Sequence, residues 1–331
     1  MARILCTTRG RSPAANRRVS CRAELPLDMH LPRSLFDVDD LSDQAVRTIL
    51  VRAGELASGA ETSCPYAGRT VGLFFSQPSI RTRVGFTAAV ARLAGTVVDV
   101  CEPKFQYGMD GPESIADTAR VLDDYCDVLV IRHASESTVR EFAHAAEVPV
   151  INGGADCVAH PTQALIDLFA IHRSVGRLDA LRVGIMGDLA SSRTGRSLFK
   201  ALVRFAPAEI RLMAPAGRHL PDETTASAGS VMVTRGEALA LEGLDVLYVA
   251  GMPPGTGDAQ LPVAVRERFY VTRARLSVMD PSAAVLCALP RTGDIDPDAD
   301  GDPRSHYFRQ SAEGLFVRMA LMEAYAAWGA P

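Results

Sequence analysis

The sequence predicts an α/β protein with parallel sheets covered by helices on both faces, and three observations support this fold class. Strand-like apolar runs alternate regularly with segments of helical periodicity. The strand-like runs are continuously apolar, which is typical of parallel strands buried on both faces. The chain of 331 residues is long enough for two domains of about 150 residues each. Because the helical segment 161–175 lies in mid-chain without a break after it, two α/β units fit better than one.

The individual elements follow from these local patterns. Continuous apolar runs predict strands at 70–75, 96–100, 127–131, 148–151, 181–186, 209–213, 231–234, 245–249 and 284–287. Helical periodicity predicts helices at 42–57, 81–94, 113–125, 135–145, 161–175, 193–205, 261–267 and 307–328. Two stretches that contain proline, 251–260 and 292–304, are predicted to be loops.

Composition excludes several kinds of partner. Hydrophobic residues make up 47% of the chain and charged residues 22%, which is ordinary for a globular protein. A net charge of −4 provides no basic field for nucleic acid, and no apolar run is long enough to span a membrane. No metal-binding motif or complete dinucleotide fingerprint occurs, so we expect no metal and no cofactor. Seven cysteines without a Cys-x-x-Cys pair favour free thiols and a cytoplasmic location.

Residues 1–28 differ from the rest of the chain because six arginines precede the first acidic residue, Glu24. We interpret this stretch as a disordered or non-native extension, with Met29 as an alternative start. An arginine- and serine-containing, acid-poor stretch of this kind also resembles an organelle transit peptide, which remains the alternative.

The most informative segment is Ser-Ile-Arg-Thr-Arg at 79–83, which follows the first long predicted strand and opens a helix. Free backbone N–H groups and the positive end of the helix dipole favour an anion at such a position. Arg81 and Arg83 add guanidinium donors that suit phosphate oxygens. The segment therefore predicts a phosphate site.

A second motif, His-Pro-Thr-Gln at 160–163, opens the helix in mid-chain. Its histidine and amide can polarise a carbonyl group. A phosphate site together with a carbonyl-polarising pair indicates that the substrate is an acyl phosphate.

Both motifs resemble those of the aspartate/ornithine carbamoyltransferase family, and more closely its aspartate branch. That family carries S-T-R-T-R and H-P-T-Q motifs in this order. Similar segments also occur at 113–118, 130–133, 187–194 and 289–291, and the resemblance runs from about residue 33 to about residue 328.

The resemblance implies two doubly wound domains joined by the crossing helix 161–175. A carbamoyl-phosphate-binding domain would cover residues 29–160 and an acceptor-binding domain residues 161–305. The C-terminal helix in 306–331 would pack back on the first domain. By resemblance we also expect a homotrimer that uses carbamoyl phosphate, or a related acyl phosphate, and a small amine acceptor.

The resemblance also implies roles for particular residues. The residues implied to act in catalysis are Arg81, Thr82, Arg132, His160 and Gln163. Those implied to bind the substrates are Ser79, Ile80, Arg132, Arg193, Leu289 and Pro290. Among them, Arg193 would meet a carboxylate of the acceptor.

Several positions depart from the family pattern. In the family's mobile loop a serine and a lysine enter a neighbouring active site, and the matching positions here are Tyr107 and Gly111. Lys104 is either an exposed surface lysine or, if the loop is reshaped, a replacement for the missing lysine. Gly251 stands where the aspartate branch has an arginine for the acceptor. Cys287 lies in the acceptor loop and is either a reactive nucleophile or a small residue that fills space.

These departures lead to three hypotheses about function. The first hypothesis is a carbamoyltransferase whose acceptor is not aspartate. Aspartate has two carboxylates, and with glycine at 251 one of them would be buried without an arginine partner, which is unfavourable. The second is an inactive homologue that serves as a scaffold or regulator. The third is a transferase that uses another acyl phosphate to form an amide or phosphoramide. The retained residues Arg81, Arg132, His160 and Gln163 favour the first hypothesis over the second.

Overall fold

The structure, a computed structural model, describes residues 31–101, 114–155, 159–252 and 261–328. The proposed extension 1–28, together with Lys104, Tyr107 and Gly111, therefore lies outside the described residues. Within them, no helix combines the length and the apolar character that crossing a membrane requires.

Two five-stranded parallel sheets form the framework. The strands are β1 (Ser34–Leu35), β2 (Thr70–Phe75), β3 (Thr96–Cys101), β4 (Val128–Arg132), β5 (Val150–Asn152), β6 (Arg182–Gly187), β7 (Glu209–Met213), β8 (Val233–Gly236), β9 (Val246–Gly251) and β10 (Ala284–Cys287). The first sheet has the strand order β1-β5-β4-β2-β3 and the second β10-β9-β6-β7-β8. The prediction of two parallel α/β units is confirmed.

Helices cover the sheets. They are α1 (Asp43–Ala57), α2 (Ile80–Arg92), α3 (Ile115–Asp123), α4 (Glu136–Ala145), α5 (Pro161–Val175), α6 (Arg193–Val203), α7 (Asp222–Thr225), α8 (Val263–Arg268), α9 (Arg273–Leu276) and α10 (Tyr307–Ala326). The short elements β1, α7 and α9 are absent from the sequence prediction. A strand of two residues and helices of four are too brief to give a periodic pattern.

The crossing helix α5 begins at Pro161, whose missing N–H costs no hydrogen bond because the first turn of a helix has no internal acceptors for its N–H groups. It ends at Val175, and its C-cap Gly176 has a φ of +79°. Its residues from 164 to 171 are all buried, since it contacts α1, α6, α10 and β10. A helix that is buried on nearly all sides, as this one is, is expected where other elements pack against it from several directions. This position places the N-terminus of α5 at the junction of the two sheets.

The helix α10 returns to the first sheet and contacts α1, α2 and α5. Arg52 Nε lies 2.6 Å from Glu323 Oε2, and Arg69 donates to the Ala326 carbonyl over 2.7 Å. The Tyr325 hydroxyl donates to the Pro32 carbonyl over 3.1 Å. These bonds attach the last helix to the start of the first domain, as the family resemblance implied.

Candidate functional site

Both sheets reverse their strand order at one point, and the candidate residues lie there. In the first sheet, β3 and β4 flank β2 on opposite sides, and in the second, β7 and β9 flank β6. Open parallel sheets bind ligands in the crevice at the carboxyl ends of such strands. The segment 79–83 follows β2, Arg132 ends β4, and Gly187 and Gly251 end β6 and β9.

The N-terminus of α2 has the properties of an anion site. Ser79 is the N-cap residue, yet its hydroxyl makes no capping hydrogen bond. Thr82 is buried, whereas the Ile80 side chain is 79% exposed, so Ile80 offers only its backbone N–H to a ligand. Burial lowers the pKa of Arg81 from its ordinary value.

Arg83 does not join Arg81 at this site. Its Nε lies 2.5 Å from Asp99 Oδ2 on β3, so the prediction that both arginines serve the phosphate is wrong. Residues two positions apart on a helix point in different directions, which explains why the guanidinium groups of Arg81 and Arg83 do not lie together.

Arg132 is a buried guanidinium at the end of β4. Nη1 donates to the Gly153 carbonyl over 3.0 Å, and Nε has no partner among the described residues. Burial, reinforced by the charges of Arg193 and Arg81, lowers the pKa of Arg132 to about 10. A Cβ on Gly154 would lie 2.4 Å from Nη1, so a side chain at this position would displace the guanidinium.

His160 is the N-cap residue of α5 and is 4% exposed. Burial, with added repulsion from the surrounding arginines, lowers its pKa well below the ordinary value, so the imidazole is neutral at neutral pH. Nδ1 lies 3.3 Å from the Thr162 hydroxyl. A hydroxyl proton donated to Nδ1 fixes the ring N–H on Nε2, beside Gly154 and Arg132.

Gln163 lies one turn into the same helix and is held by a residue that the sequence analysis missed. Its Nε2 donates to Asp167 Oδ1 over 2.7 Å, and Gln310 Nε2 donates to the same oxygen over 2.6 Å. Burial raises the pKa of Asp167 to about 7. A single acid in the otherwise apolar stretch 164–171 is the signal that could have identified Asp167.

A second missed residue, Arg318, lies on α10. It is buried, its Nη1 donates to the Gly314 carbonyl over 3.1 Å, and its Nε has no partner among the described residues. Burial and the charge of Arg81 lower its pKa to about 10. Within the described ranges, no carboxylate forms an ion pair with Arg81, Arg132 or Arg318. Buried cations without carboxylate partners are unfavourable unless an anionic ligand compensates them.

The second sheet contributes a cavity of about 290 Å³ at its own reversal point. The lining residues are Asp188, Ser191, Ser192, Arg193, Thr194, Val249, Ala250, Gly251, Cys287, Ala288, Leu289, Pro290 and Thr292. Asp188 Oδ2 lies 3.1 Å from Arg218 Nη1, so that carboxylate has an arginine partner in its own domain. The cavity thus brings together Arg193, Leu289 and Pro290 with several hydroxyl groups.

Gly251 lies at a close approach of two backbones. A Cβ on Gly187 would lie 2.4 Å from the Gly251 carbonyl oxygen, and Gly251 itself has a φ of +94°. The next N–H, that of Met252, donates to Thr292 Oγ1 over 2.9 Å and to Asp294 Oδ2 over 3.0 Å. Backbone and hydroxyl groups therefore line this part of the cavity, where the family resemblance implied an arginine.

Cys287 is 2% exposed, and burial raises the pKa of its thiol to about 12. This shift is opposite to that of reactive cysteines, which have lowered pKa values. The thiol instead accepts a hydrogen bond from the Leu289 N–H over 3.3 Å. The geometry therefore favours the interpretation of Cys287 as a small residue that fills space.

A labelling experiment checks this interpretation. With a pKa of about 12, the thiolate fraction of Cys287 at pH 8 is about 10⁻⁴, so native protein should not be alkylated there by iodoacetamide. Cys64, which is partly exposed, serves as the internal control. Peptide mass spectrometry should find Cys64 labelled first and both cysteines labelled after unfolding. Equal native labelling rates would contradict the prediction.

A candidate anion site on one sheet and a polar-lined cavity on the other suit an enzyme of the transferase class, which brings two small substrates together. Comparison with known proteins specifies the class. The family description "Aspartate/ornithine carbamoyltransferase, carbamoyl-P binding domain" matches residues 33–173, and the description "Asp/Orn binding domain" of the same family matches residues 179–325. The chain therefore belongs to the aspartate/ornithine carbamoyltransferase family.

Relatives in the family share most of their length with the chain. The aspartate carbamoyltransferase catalytic subunit of Thermococcus onnurineus is 37% identical over 298 residues, covering 88% of this chain and 96% of the relative. The chloroplastic aspartate carbamoyltransferase of Oryza sativa is 32% identical over 310 residues, covering 91% of this chain and 85% of the relative. A crystal structure of Trypanosoma cruzi aspartate transcarbamoylase in complex with carbamoyl phosphate and aspartate matches this chain with a TM-score of 0.79 and 31% sequence identity. The match covers 90% of this chain and 97% of the Trypanosoma cruzi chain.

These relatives correct one prediction. The glycine at 251 predicted an acceptor other than aspartate, but relatives that match nearly the whole chain are aspartate carbamoyltransferases. The prediction is wrong because it treated one guanidinium as the determinant of the acceptor. Carboxylates are also bound by hydroxyl and backbone N–H groups, and the cavity around Arg193 is rich in hydroxyls. The inactive-scaffold and alternative-donor hypotheses receive no support from these relatives.

Proposed function

We propose that this chain transfers the carbamoyl group of carbamoyl phosphate to the amine of aspartate. The observation that carries the proposal is a group of cations around a neutral His160, the buried Arg132 and Arg318 and the half-buried Arg81, none of which has a carboxylate partner among the described residues. Two anionic substrates would compensate those charges. Trypanosoma cruzi aspartate transcarbamoylase, a structural relative, was solved with carbamoyl phosphate and aspartate together, which supports this pair of substrates.

The phosphate would bind at the N-terminus of α2. The backbone N–H groups of the first turn, the Ser79 and Thr82 hydroxyls and the Arg81 guanidinium are suitable donors. Arg132 would reach the same ligand from the end of β4. These donors favour departure of the phosphate because they neutralise its growing charge.

The carbamoyl carbonyl would face the N-terminus of α5. The Nε2–H of neutral His160 would donate to the carbonyl oxygen, and Arg132 would add positive charge. The amine lone pair of aspartate attacks the carbonyl carbon, the bond from carbon to the phosphate oxygen breaks, and phosphate leaves with that electron pair. The nitrogen loses a proton, for which the departing phosphate is an acceptor. The products are carbamoyl aspartate and phosphate.

Two linked measurements test the proposal. Calorimetric titration should find that carbamoyl phosphate binds, and a colorimetric assay should find carbamoyl aspartate when aspartate is added. Arg81→Ala removes a charge-assisted hydrogen bond of about 1.5–3 kcal/mol, so its Kd should rise by about 10- to 100-fold. Arg92→Ala, at the exposed far end of α2, is the matched control and should retain normal affinity. Failure of the unaltered protein to bind carbamoyl phosphate would refute the proposal.

The acceptor side gives a separate prediction. Because Arg193 opens α6 beside the cavity, Arg193→Ala should raise the KM for aspartate by about 10- to 100-fold, with a smaller change in the Kd of carbamoyl phosphate. Steady-state kinetics at saturating carbamoyl phosphate measures the KM. Arg182→Ala, at the exposed opposite end of β6, serves as the control. An unchanged KM would exclude Arg193 as an aspartate ligand.

We further propose a homotrimer. Ile80 and Val84 on α2 and Val98 on the edge strand β3 are 79%, 60% and 40% exposed, which supports a subunit contact near this edge. Light scattering after size exclusion should give three times the mass of one chain, and a monomer mass would refute the assembly. Cytoplasmic location remains a prediction from the cysteine pattern.

A further inference from the structure

The Asp167 carboxyl group is fully buried on α5, one turn after Gln163. Its Oδ1 accepts two amide hydrogen bonds, from Gln163 over 2.7 Å and from Gln310 over 2.6 Å. Its Oδ2 makes no hydrogen bond of good geometry among the described residues, although the Tyr248 hydroxyl faces the carboxyl group. Burial of a carboxyl group with incomplete hydrogen bonding costs free energy, which points to a role for Asp167 beyond packing.

The bond to Asp167 determines which way the Gln163 amide points. The ionised carboxylate accepts hydrogen bonds and cannot donate them, so in that form the amide NH₂ of Gln163 faces Asp167, as the hydrogen bond to Oδ1 shows. The carbonyl oxygen of Gln163 is then directed away from Asp167. Gln163 and Arg81 line the same narrow cleft, so Gln163 lies next to the proposed phosphate site. The NH₂ of a carbamoyl group is a donor and requires an acceptor such as the Gln163 carbonyl oxygen.

The hydrogen bond between Asp167 and Gln310 links Asp167 to the second sheet. Gln310 lies on α10 and is 1% exposed, and its Oε1 accepts the Cys287 N–H over 2.9 Å. The Cys287 thiol in turn accepts the Leu289 N–H over 3.3 Å. A continuous chain of hydrogen bonds thus joins Gln163, through Asp167 and Gln310, to the loop 287–290. That loop lines the acceptor cavity.

We propose that Asp167 is a positioning residue that orients the Gln163 amide toward the carbamoyl group and, through Gln310, holds the loop 287–290 at the acceptor cavity. This inference rests on the proposed carbamoyl transfer. It assigns Asp167 no contact with substrate. Its effect is therefore on the rate of transfer, because the phosphate affinity depends on Arg81 and Arg132.

The surroundings of Asp167 make its charge sensitive to pH. The Tyr248 hydroxyl faces it from β9, the Cys287 thiol from β10 and Gln310 from α10. Arg81 and Arg318 line the adjacent cleft. Burial raises the pKa of Asp167 to about 7, so it gains its negative charge as pH rises through neutrality. Because an ionised acceptor holds amide donors more firmly, kcat should rise over the same interval.

Two substitutions at Asp167 separate positioning from simple packing. Asp167→Asn keeps an oxygen that can accept both amide hydrogen bonds. Asp167→Leu removes every acceptor and keeps a branched side chain of four heavy atoms, although a bulkier one. Asp167→Asn should retain a kcat within about tenfold of the unaltered protein and lose the rise near pH 7. Asp167→Leu should lower kcat by about 10²-fold, as small misplacements of catalytic groups do, with little change in the Kd of carbamoyl phosphate.

A double-mutant cycle with Gln163→Ala completes the test. If Asp167 acts through Gln163, adding Asp167→Leu to Gln163→Ala should lower kcat far less than it does alone. Full additivity, or an Asp167→Leu protein with normal kcat, would overturn the inference. If Asp167→Leu does not fold, the pH profile of Asp167→Asn decides, and an unchanged rise near pH 7 would refute the role. Absence of turnover in the unaltered protein would instead refute the proposed function itself.

Discussion

Arg132→Met is expected to lower kcat/KM for carbamoyl phosphate by about 10²- to 10³-fold, because it removes donors to both the phosphate and the carbonyl oxygen. The same substitution should leave the free energy of unfolding within about 1 kcal/mol of its original value, or raise it. Arg132 is a buried charge without a carboxylate partner in the described structure, and replacing such a group by an apolar side chain is often neutral or stabilising. Activity would thus fall without a matching loss of stability.

Arg304→Met is the matched control for this prediction. Arg304 is also buried, but its Nε lies 2.7 Å from Asp302 Oδ1. Removing it leaves the buried Asp302 carboxylate unpaired, so this variant should lose stability while carbamoyl phosphate still binds. Denaturant unfolding and steady-state kinetics on both variants give the comparison. A loss of stability in Arg132→Met as large as in Arg304→Met would show that Arg132 serves the fold.

His160→Ala is the second substitution with a large expected effect. Loss of the N–H donor to the carbonyl oxygen should lower kcat by about 10²- to 10³-fold. His160→Gln retains an N–H donor and should recover part of the activity. A kcat of His160→Ala within a few-fold of the original would contradict the proposed role of the imidazole.

The ionisation of His160 gives a further measurement on the same residue. Its folded pKa is well below the value of about 6.5 for an unfolded histidine, so the unfolded chain binds the extra proton first. The stability that depends on neutral His160 is present above pH 6.5 and decreases as pH falls below it. NMR of the imidazole, assigned by His160→Ala, should find no titration in the folded protein between about pH 6 and pH 8. Titration near 6.5 in the native state would contradict the burial argument.

The sequence predicted the framework well because the buried strands carry their own pattern. The strands Glu209–Met213 and Ala284–Cys287 and the helix Pro161–Val175 occur where the sequence predicts them. The strand predicted at 231–234 is shifted to Val233–Gly236, since β8 lies at a sheet edge where its residues are half-exposed and the apolar pattern is weak.

The sequence could locate residues of the candidate site only where they adjoin the ends of elements. Ser79, Arg132 and His160 end or precede strands and helices, so the pattern of elements places them at the crevice. Asp167 and Gln310 are 143 positions apart, and no local pattern reveals that they meet. The error over the acceptor has a similar cause, because the acceptor cavity is lined by the segment that follows β6, by the end of β9 and by the loop 287–290. Such a cavity cannot be judged from position 251 alone.

The return of α10 to the first domain has a consequence for synthesis of the protein. During translation, domains generally fold in order from the N-terminal end. Here α1 and α2 emerge from the ribosome early, but Glu323 and Ala326, which bond to Arg52 and Arg69, emerge only after the whole second sheet. The first domain of a nascent chain therefore keeps an uncovered apolar face until translation is almost finished. Carbamoyl phosphate binding and protection from proteolysis should both appear late, together with α10.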